Sequence, residues 1–138
     1  MILVDTNVFS ELQKTTPDPK VVDWLRAHDE VTLLSTVVIA EIQLGICLTP
    51  GAGKRKLLAA WLGRLIAKHQ GSRTLVFDTE AALKYGEIVA PIQREMRSAG
   101  VHDGQIAAQA MTFGCAVATR NAKHFQHPGL ELIDPWTT

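Results

Sequence analysis

The sequence predicts an α/β protein, a three-layer α/β/α sandwich around a central, mainly parallel sheet of four to five strands. Short apolar runs alternate with helical patterns along the whole chain. The first run, Ile2-Leu3-Val4, shows no polar alternation, as expected of a strand that is covered on both faces. The chain has 138 residues and contains no repeat or linker. We therefore expect one domain spanning residues 1–138.

The elements are predicted from apolar spacing and from the residues that begin and end helices. Asp18-Pro19 suits the start of one helix, and Ser35 or Thr36 caps the next. Pro91 is expected to kink or interrupt a later helix near Val89-Ala90, and Ala99-Gly100 to stop it. The predicted strands are 1–4, 31–34, 74–77, 115–119 and 130–133, and the predicted helices are 8–13, 20–27, 36–48, 54–69, 79–98, 104–113 and 122–125.

The formal net charge is zero, but this sum hides an asymmetry along the chain. Residues 51–76 contain six bases and no acid. Such a stretch could follow a phosphate backbone, although a solvated helix face gives the same pattern. The six bases are Lys54, Arg55, Lys56, Arg64, Lys68 and Arg73.

The chain begins without the features of an exported or membrane protein. No basic segment precedes the first apolar run, and Asp5 interrupts that run before it could form a signal peptide or a membrane span. We therefore expect a cytoplasmic protein. Cys47 and Cys115 lack a CxxC spacing and are interpreted as small core residues rather than as a zinc site or a disulfide.

Two polar segments are expected at one edge of the sheet. Asp5 follows the first buried strand, and Thr119-Arg120-Asn121 follows the fourth. Because ligands of open α/β sheets bind outside the carboxyl ends of the strands, Asp5 lies where this architecture places its active site. Asp5 or Asn7 could equally cap the following helix, and the residues alone do not separate the two interpretations.

Two further acids are candidates for the same site. Glu41 lies in the apolar helical segment 37–42, where an unpaired carboxylate would be costly, so it needs a cation, a base or the mouth of a cleft. Asp103 begins an alanine-rich helix, where an ordinary N-cap is the competing interpretation. Oxygen ligands without His/Cys spacing favour Mg²⁺ or Mn²⁺ over zinc.

Taken together, these segments resemble the PIN domains, in particular the VapC and FitB type of toxin ribonuclease. The resemblance rests on the segments 2–7, 103–108 and 118–121, on the helical Glu41 and on Phe125, and it covers essentially the whole chain. It implies a Mg²⁺- or Mn²⁺-dependent ribonuclease that cleaves RNA and is held inactive by a small antitoxin. It further implies a homodimer that contacts DNA only indirectly, through the antitoxin.

The resemblance also implies roles for individual residues. The acidic positions of the family carry over to Asp5, Glu41 and Asp103, which would bind the metal, and Thr6 and Thr119 match accessory hydroxyl positions. Asn121 stands at the fourth catalytic position, where FitB-type members usually have an acid, and His124 stands where many VapC members have one. Arg120 or the bases of residues 51–76 would hold the RNA backbone.

Other functions compete with the nuclease. Asn121 and His124 suggest a degenerate module that binds RNA or a partner without cutting. A haloacid-dehalogenase-like phosphatase would also begin with a buried strand that ends in Asp, but Asn7 stands where its second acid would be needed. A receiver-type signalling domain needs paired early acids and a late lysine, and neither is clear in this chain.

Overall fold

The computed structural model describes residues 1–95, 97 and 100–138. Its strands are β1 (Ile2–Val4), β2 (Thr32–Ser35), β3 (Thr74–Leu75), β4 (Ala116–Ala118) and β5 (Leu132–Ile133). Its α-helices are α1 (Thr6–Glu11), α2 (Pro19–Ala27), α3 (Thr36–Leu48), α4 (Ala52–Lys68), α5 (Thr79–Arg94) and α6 (Val101–Phe113). Short 3₁₀ turns lie at Asp29–Val31, Gly71–Arg73 and Ala122–Phe125.

The five strands form one sheet in the order β3-β2-β1-β4-β5, and every pair is parallel. β1 lies in the centre, paired with β2 on one side and β4 on the other. Leu3, Val4, all of β2 and all of β4 are buried, so helices cover both faces of the sheet. The predicted α/β/α fold is therefore confirmed, including the central position of the first strand.

Several element boundaries differ from the prediction by a few residues. α1 begins at Thr6, because Asp5 is its N-cap and accepts a hydrogen bond from the Thr6 N–H. α6 begins at Val101 instead of Gly104, with Gly100 as its N-cap. The predicted caps of α2 and α3 are confirmed, since Asp18 accepts from the Lys20 N–H and Ser35 from the Val37 N–H.

Pro91 lies inside α5 without interrupting it. The missing N–H of proline deprives the carbonyl of Glu87 of its helical donor, and Glu87 is exposed, so water can replace that bond. The predicted interruption at this point is therefore wrong. The predicted helix end at Ser98 and the first residue of its stop signal, Ala99, lie outside the described residues.

The two cysteines differ in their surroundings. Cys115 is half-buried at the edge of the core. Cys47 is exposed on α3, and its sulfur lies 3.5 Å from the side-chain nitrogen of Gln43. The prediction that Cys47 is a core residue is wrong, because α3 is apolar on its outer face as well: Leu44 and Leu48 are also exposed.

Over residues 1–95, 97 and 100–138, we find no helix with both the length and the apolar character needed to cross a membrane.

α5 and α6 pack closely at a single glycine. A Cβ atom built on Gly104 would lie 2.9 Å from Cε2 of Tyr85 and 3.0 Å from Cγ2 of Val89. Real side chains do not approach so closely, so the two helices must separate or the two side chains must move if Gly104 is replaced. Since Gly104 follows Asp103 directly, this contact also fixes the position of a candidate site residue.

We expect Gly104→Ala to lower the free energy of unfolding by about 1–2 kcal/mol, because overpacking outweighs the gain in helix propensity. Gly63→Ala is the matched control, since Gly63 lies inside α4 with no atom within 4 Å of a built Cβ. The control should gain up to about 1 kcal/mol. Urea denaturation of both variants checks this, and a Gly104→Ala variant as stable as Gly63→Ala would contradict it.

Candidate active site

Asp5 lies at the carboxyl end of the central strand with its side chain almost completely buried, at 3% exposure. Its Oδ1 accepts a hydrogen bond of 2.8 Å from the Thr6 N–H, and its Oδ2 accepts one of 2.8 Å from the Thr119 hydroxyl. The Asp5 N–H continues the sheet by donating to the Ala118 carbonyl at 2.9 Å. The carboxylate is thus both a helix cap and a fixed feature of the sheet edge.

The end of β4 supplies the polar groups that surround Asp5. The buried Thr119 hydroxyl accepts a hydrogen bond of 3.0 Å from the Asn121 N–H and donates to Asp5. The Asn7 amide makes a long contact of 3.5 Å with the same hydroxyl, and its Oδ1 accepts from the Arg120 N–H at 3.3 Å. The structure therefore brings the ends of β1 and β4 together, as the two polar segments in the sequence predict.

Glu41 reaches the same edge from α3, with its side chain 23% exposed. Its Oε1 is buried and lies 3.4 Å from Nδ1 of His102, but the geometry is not that of a hydrogen bond, so this oxygen has no such partner. The Thr6 hydroxyl oxygen is likewise buried without a hydrogen bond of normal geometry, although it lies close enough to Glu41 to lower the pKa of that carboxyl. The Thr6 hydroxyl can satisfy only one lone pair of Glu41, so oxygen lone pairs at this buried edge remain for a ligand.

Asp103 is the third residue of α6 and its side chain is 21% exposed. Its Oδ2 lies 3.1 Å from Nδ1 of His124, which comes from the 3₁₀ turn after β4. Gly100, and not Asp103, is the N-cap of α6, so the interpretation of Asp103 as an ordinary N-cap is wrong. The carboxylate instead faces the turn that carries His124.

The three carboxylates lie within electrostatic reach of one another. Burial raises the pKa of Asp5, hydrogen bonds from Thr119 and Thr6 oppose this, and the negative charge of Asp103 adds to it. Burial also raises the pKa of Glu41, the His102 imidazole opposes the rise, and the charges of Asp5 and Asp103 increase it. Carboxylates that repel one another in this way favour a bound cation.

The donor set fits a hard divalent cation. It consists of carboxylate oxygens and a hydroxyl, and it includes two buried oxygens without a hydrogen bond of normal geometry. Within the described part of the chain, no three His, Cys, Asp or Glu side chains are already arranged to hold a metal ion. A cation at this edge would therefore need water among its ligands or a small movement of the acids, which is common for Mg²⁺.

The remaining predicted residues lie at the rim. Asn121 is exposed just beyond β4. Arg120 is also exposed, and its guanidinium stacks over Trp136 with 4.9 Å between the guanidinium carbon and the ring centre. That contact holds a positive charge near the site.

The basic stretch of residues 51–76 divides into two groups. Three of its bases make structural contacts: Arg73 with the carbonyls of Asp29 and Thr32, Lys68 with the carboxylate of Asp29, and Arg55 with the carbonyl of Thr49. The other three, Lys54, Lys56 and Arg64, are exposed on α4. The run of charge in the sequence therefore overstates the number of bases that are exposed without a structural contact in the described part of the chain.

Sequence reasoning missed His102 as a neighbour of Glu41. The two residues are far apart in the chain, and nothing in the sequence indicates their contact except that His102 directly precedes Asp103. It also missed Glu11, a buried acid whose carboxylate accepts from the Asp18 N–H and pairs with Lys14 at 2.7 Å. These two contacts of Glu11 stabilise the loop between α1 and α2.

A parallel five-stranded sheet with acids gathered at the carboxyl edge of its central strand is the arrangement of an α/β domain that has its active site at that edge. A family model for the PIN domain matches residues 2–129. The chain therefore belongs to the PIN domain family.

Individual relatives match over nearly their full lengths. The chain is 36% identical over 137 residues to VapC ribonuclease Y4jK of Sinorhizobium fredii, covering 99% of this chain and 98% of the relative. It is 34% identical over 137 residues to Toxin FitB of Neisseria gonorrhoeae, covering 99% of each. The crystal structure of FitAcB from Neisseria gonorrhoeae matches with a TM-score of 0.90 and 33% identity over 100% of both chains.

The raised pKa of Asp5 gives a test of the site through stability. The unfolded chain releases this proton near the ordinary value of about 3.9, and the folded chain at higher pH, so stability falls as pH rises through that window. Asp5→Asn removes this penalty while keeping an acceptor for the Thr6 N–H. We expect the variant to be more stable than wild type at neutral pH, as measured by urea denaturation.

The gain in stability should shrink below the raised pKa of Asp5 and disappear below about pH 3.9, where the wild-type carboxyl is neutral in both states. Asp23→Asn is the matched control, because Asp23 lies on α2 with its side chain 75% exposed. It should change stability little at either pH. A gain for Asp5→Asn that did not depend on pH would contradict the electrostatic explanation.

Proposed function

We propose that this protein is a ribonuclease that hydrolyses RNA phosphodiester bonds with Mg²⁺ or Mn²⁺ and acts as the toxin of a toxin–antitoxin pair. The observation that carries the proposal is the cluster of Asp5, Glu41 and Asp103 at the carboxyl edge of the central strand, with two buried oxygens lacking a hydrogen bond of normal geometry. Membership of the PIN domain family and similarity to proteins named VapC ribonuclease and Toxin FitB support it.

Asp5, Asp103 and Glu41 would hold the metal ion, in part through water. When bound, a divalent cation neutralises these acids, polarises the phosphate and lowers the pKa of an attacking water. Asp5 is held by two hydrogen bonds, which would fix its orientation toward the ion. Asp103 is more exposed and would face the substrate side.

The protein's own groups would position the substrate and the attacking water. Glu41, whose pKa is raised by burial, is suited to orient that water and accept its proton. Water then attacks phosphorus, the bond to the leaving oxygen breaks, and the products end in a phosphate and a hydroxyl. Thr119 keeps Asp5 in place, and Arg120, fixed against Trp136, would contact the RNA backbone.

We also propose a small antitoxin as partner. The relative named Toxin FitB supports the toxin role, and a solved structure of FitAB bound to an IR36 DNA fragment matches this chain with a TM-score of 0.88 and 33% identity, covering 99% of this chain and 96% of that one. This protein would then associate with DNA only through the antitoxin. The homodimer stays a prediction, which light scattering at micromolar concentration checks.

A second function is favoured by two residues of the site. Asn121 brings no charge to the fourth position, and His124 already pairs with Asp103. A module with these features could bind RNA or a partner without cleaving it. The phosphatase is less consistent with the site, because Asn7 holds the Arg120 backbone in the place where that mechanism needs an acid.

We expect RNA cleavage by the purified protein that requires Mg²⁺ or Mn²⁺ and stops with EDTA. Asp5→Asn and Asp103→Asn should each lower kcat at least about a hundredfold, because each removes charge from the reacting centre. Asp23→Asn, the same change at an exposed position of α2, should leave cleavage unchanged. Gel analysis of labelled RNA measures all three variants.

A measurement of thermal stability detects metal binding independently of RNA cleavage. Mg²⁺ should raise the Tm of the wild type, since a ligand that binds only the folded state stabilises it, and should raise that of Asp5→Asn much less. RNA binding without cutting in the presence of metal would favour the non-catalytic module. Hydrolysis of a small phosphomonoester with no cleavage of RNA would favour the phosphatase.

A further inference from the structure

A cavity opens beside the acidic cluster and includes Asp103 in its lining. It has a volume of about 380 Å³, and it lies between the end of α5, the start of α6 and the turn that follows β4. Ligand cavities in proteins typically measure about 300–1,000 Å³. Its polar lining consists of Arg97, Asp103, Lys123, His124, Gln126 and His127.

The polar lining of this cavity is mostly basic. Arg97 and Lys123 are cationic, His124 and His127 add two imidazoles, and Asp103 is the only acid among the described residues that line the cavity. In the described part of the chain Lys123 forms no ion pair, whereas Arg97 pairs with Glu95 at 2.7 Å and His124 with Asp103. The positive charge of Lys123 is therefore left for an external anion.

The surroundings of His127 are also positively charged. Burial lowers the pKa of His127, and the Arg97 guanidinium lowers it further. An anion placed in the cavity beside His127 would favour the protonated imidazole. Gln126, exposed between His127 and Phe125, adds an amide that can donate to the same anion.

We propose that this cavity binds a backbone phosphate of the RNA substrate, next to the phosphate that is cleaved. The proposal rests on the proposed ribonuclease function and assigns Lys123, His127 and Gln126 to substrate binding. RNA is favoured over an acidic segment of a protein partner because the cavity is continuous with Asp103, a carboxylate that is suited to reach the scissile phosphate through a cation. Lys123 and His127 would thus set the register of the strand across the active site.

The first experiment measures RNA binding without cleavage. Fluorescence anisotropy of a short labelled single-stranded RNA in EDTA gives the affinity of each variant over a series of salt concentrations. Lys123→Gln should weaken binding about three- to tenfold and reduce the slope of log K against log salt by about 0.7, the value for one phosphate contact on a single strand.

Lys84→Gln is the matched control. Lys84 lines a separate cavity with Met1 and Ile2, at the opposite end of β1 from Asp5, and its ion pair with Glu87 is exposed. It should leave both the affinity and the salt slope unchanged. An unchanged slope in Lys123→Gln, or an equal loss in Lys84→Gln, overturns the proposal.

A second measurement locates the phosphate. The His127 ring protons, identified by their loss in His127→Gln, should titrate at higher pH when the RNA is bound, because a nearby phosphate stabilises the protonated ring. An unmoved titration overturns the assignment to this cavity. So does a Lys123→Gln protein that binds RNA normally but has lost affinity for an acidic partner protein.

The failure of this proposal can be told from the failure of the proposed function. In the presence of metal, Lys123→Gln should raise KM with kcat little changed, since it removes binding that is equal in the ground state and the transition state. If the wild type cuts RNA and Lys123→Gln has the same KM and kcat, the subsite alone is overturned. A wild type that binds RNA through Lys123 without cutting it overturns the nuclease and keeps the subsite.

Discussion

The site depends on keeping one carboxylate buried where two parallel strands end. Water would solvate the Asp5 side chain far better than protein does, so the sheet must compensate for its burial. It does so with two hydrogen bonds, one from the first residue of α1 and one from Thr119 at the end of the neighbouring strand. The parallel pairing of β1 and β4 is what makes the second bond possible.

The other two acids are partly balanced by imidazoles rather than by arginine or lysine. His102 lies beside Glu41 and His124 beside Asp103. Lys or Arg in these places would hold a permanent positive charge against each acid and compete with a metal ion, and among the described residues neither acid forms an ion pair with Lys or Arg. The acids therefore lie close together without being held in permanent ion pairs that a metal ion would have to displace.

The sequence was sufficient to predict most of the fold because its strands are uniformly apolar and its helix caps are explicit. Asp18, Ser35 and the run Ile2-Leu3-Val4 each had one clear local interpretation, and each is confirmed. Asp5 and Thr119 were predicted to meet because parallel strands share an edge. The start of α6, the exposure of Cys47 and the contact of His102 with Glu41 were not predicted, since each depends on packing between distant segments.

The strand order also has a consequence for the order in which the site is assembled. β1 precedes the other four strands in the chain, yet one of its two partners, β4, begins only at Ala116. Until that late segment arrives, β1 keeps an open edge and Asp5 lacks the hydroxyl of Thr119. Closure over so long a span is intrinsically slow. A polypeptide interrupted before Ala116 therefore cannot complete this edge of the sheet or hold Asp5 as the folded chain does.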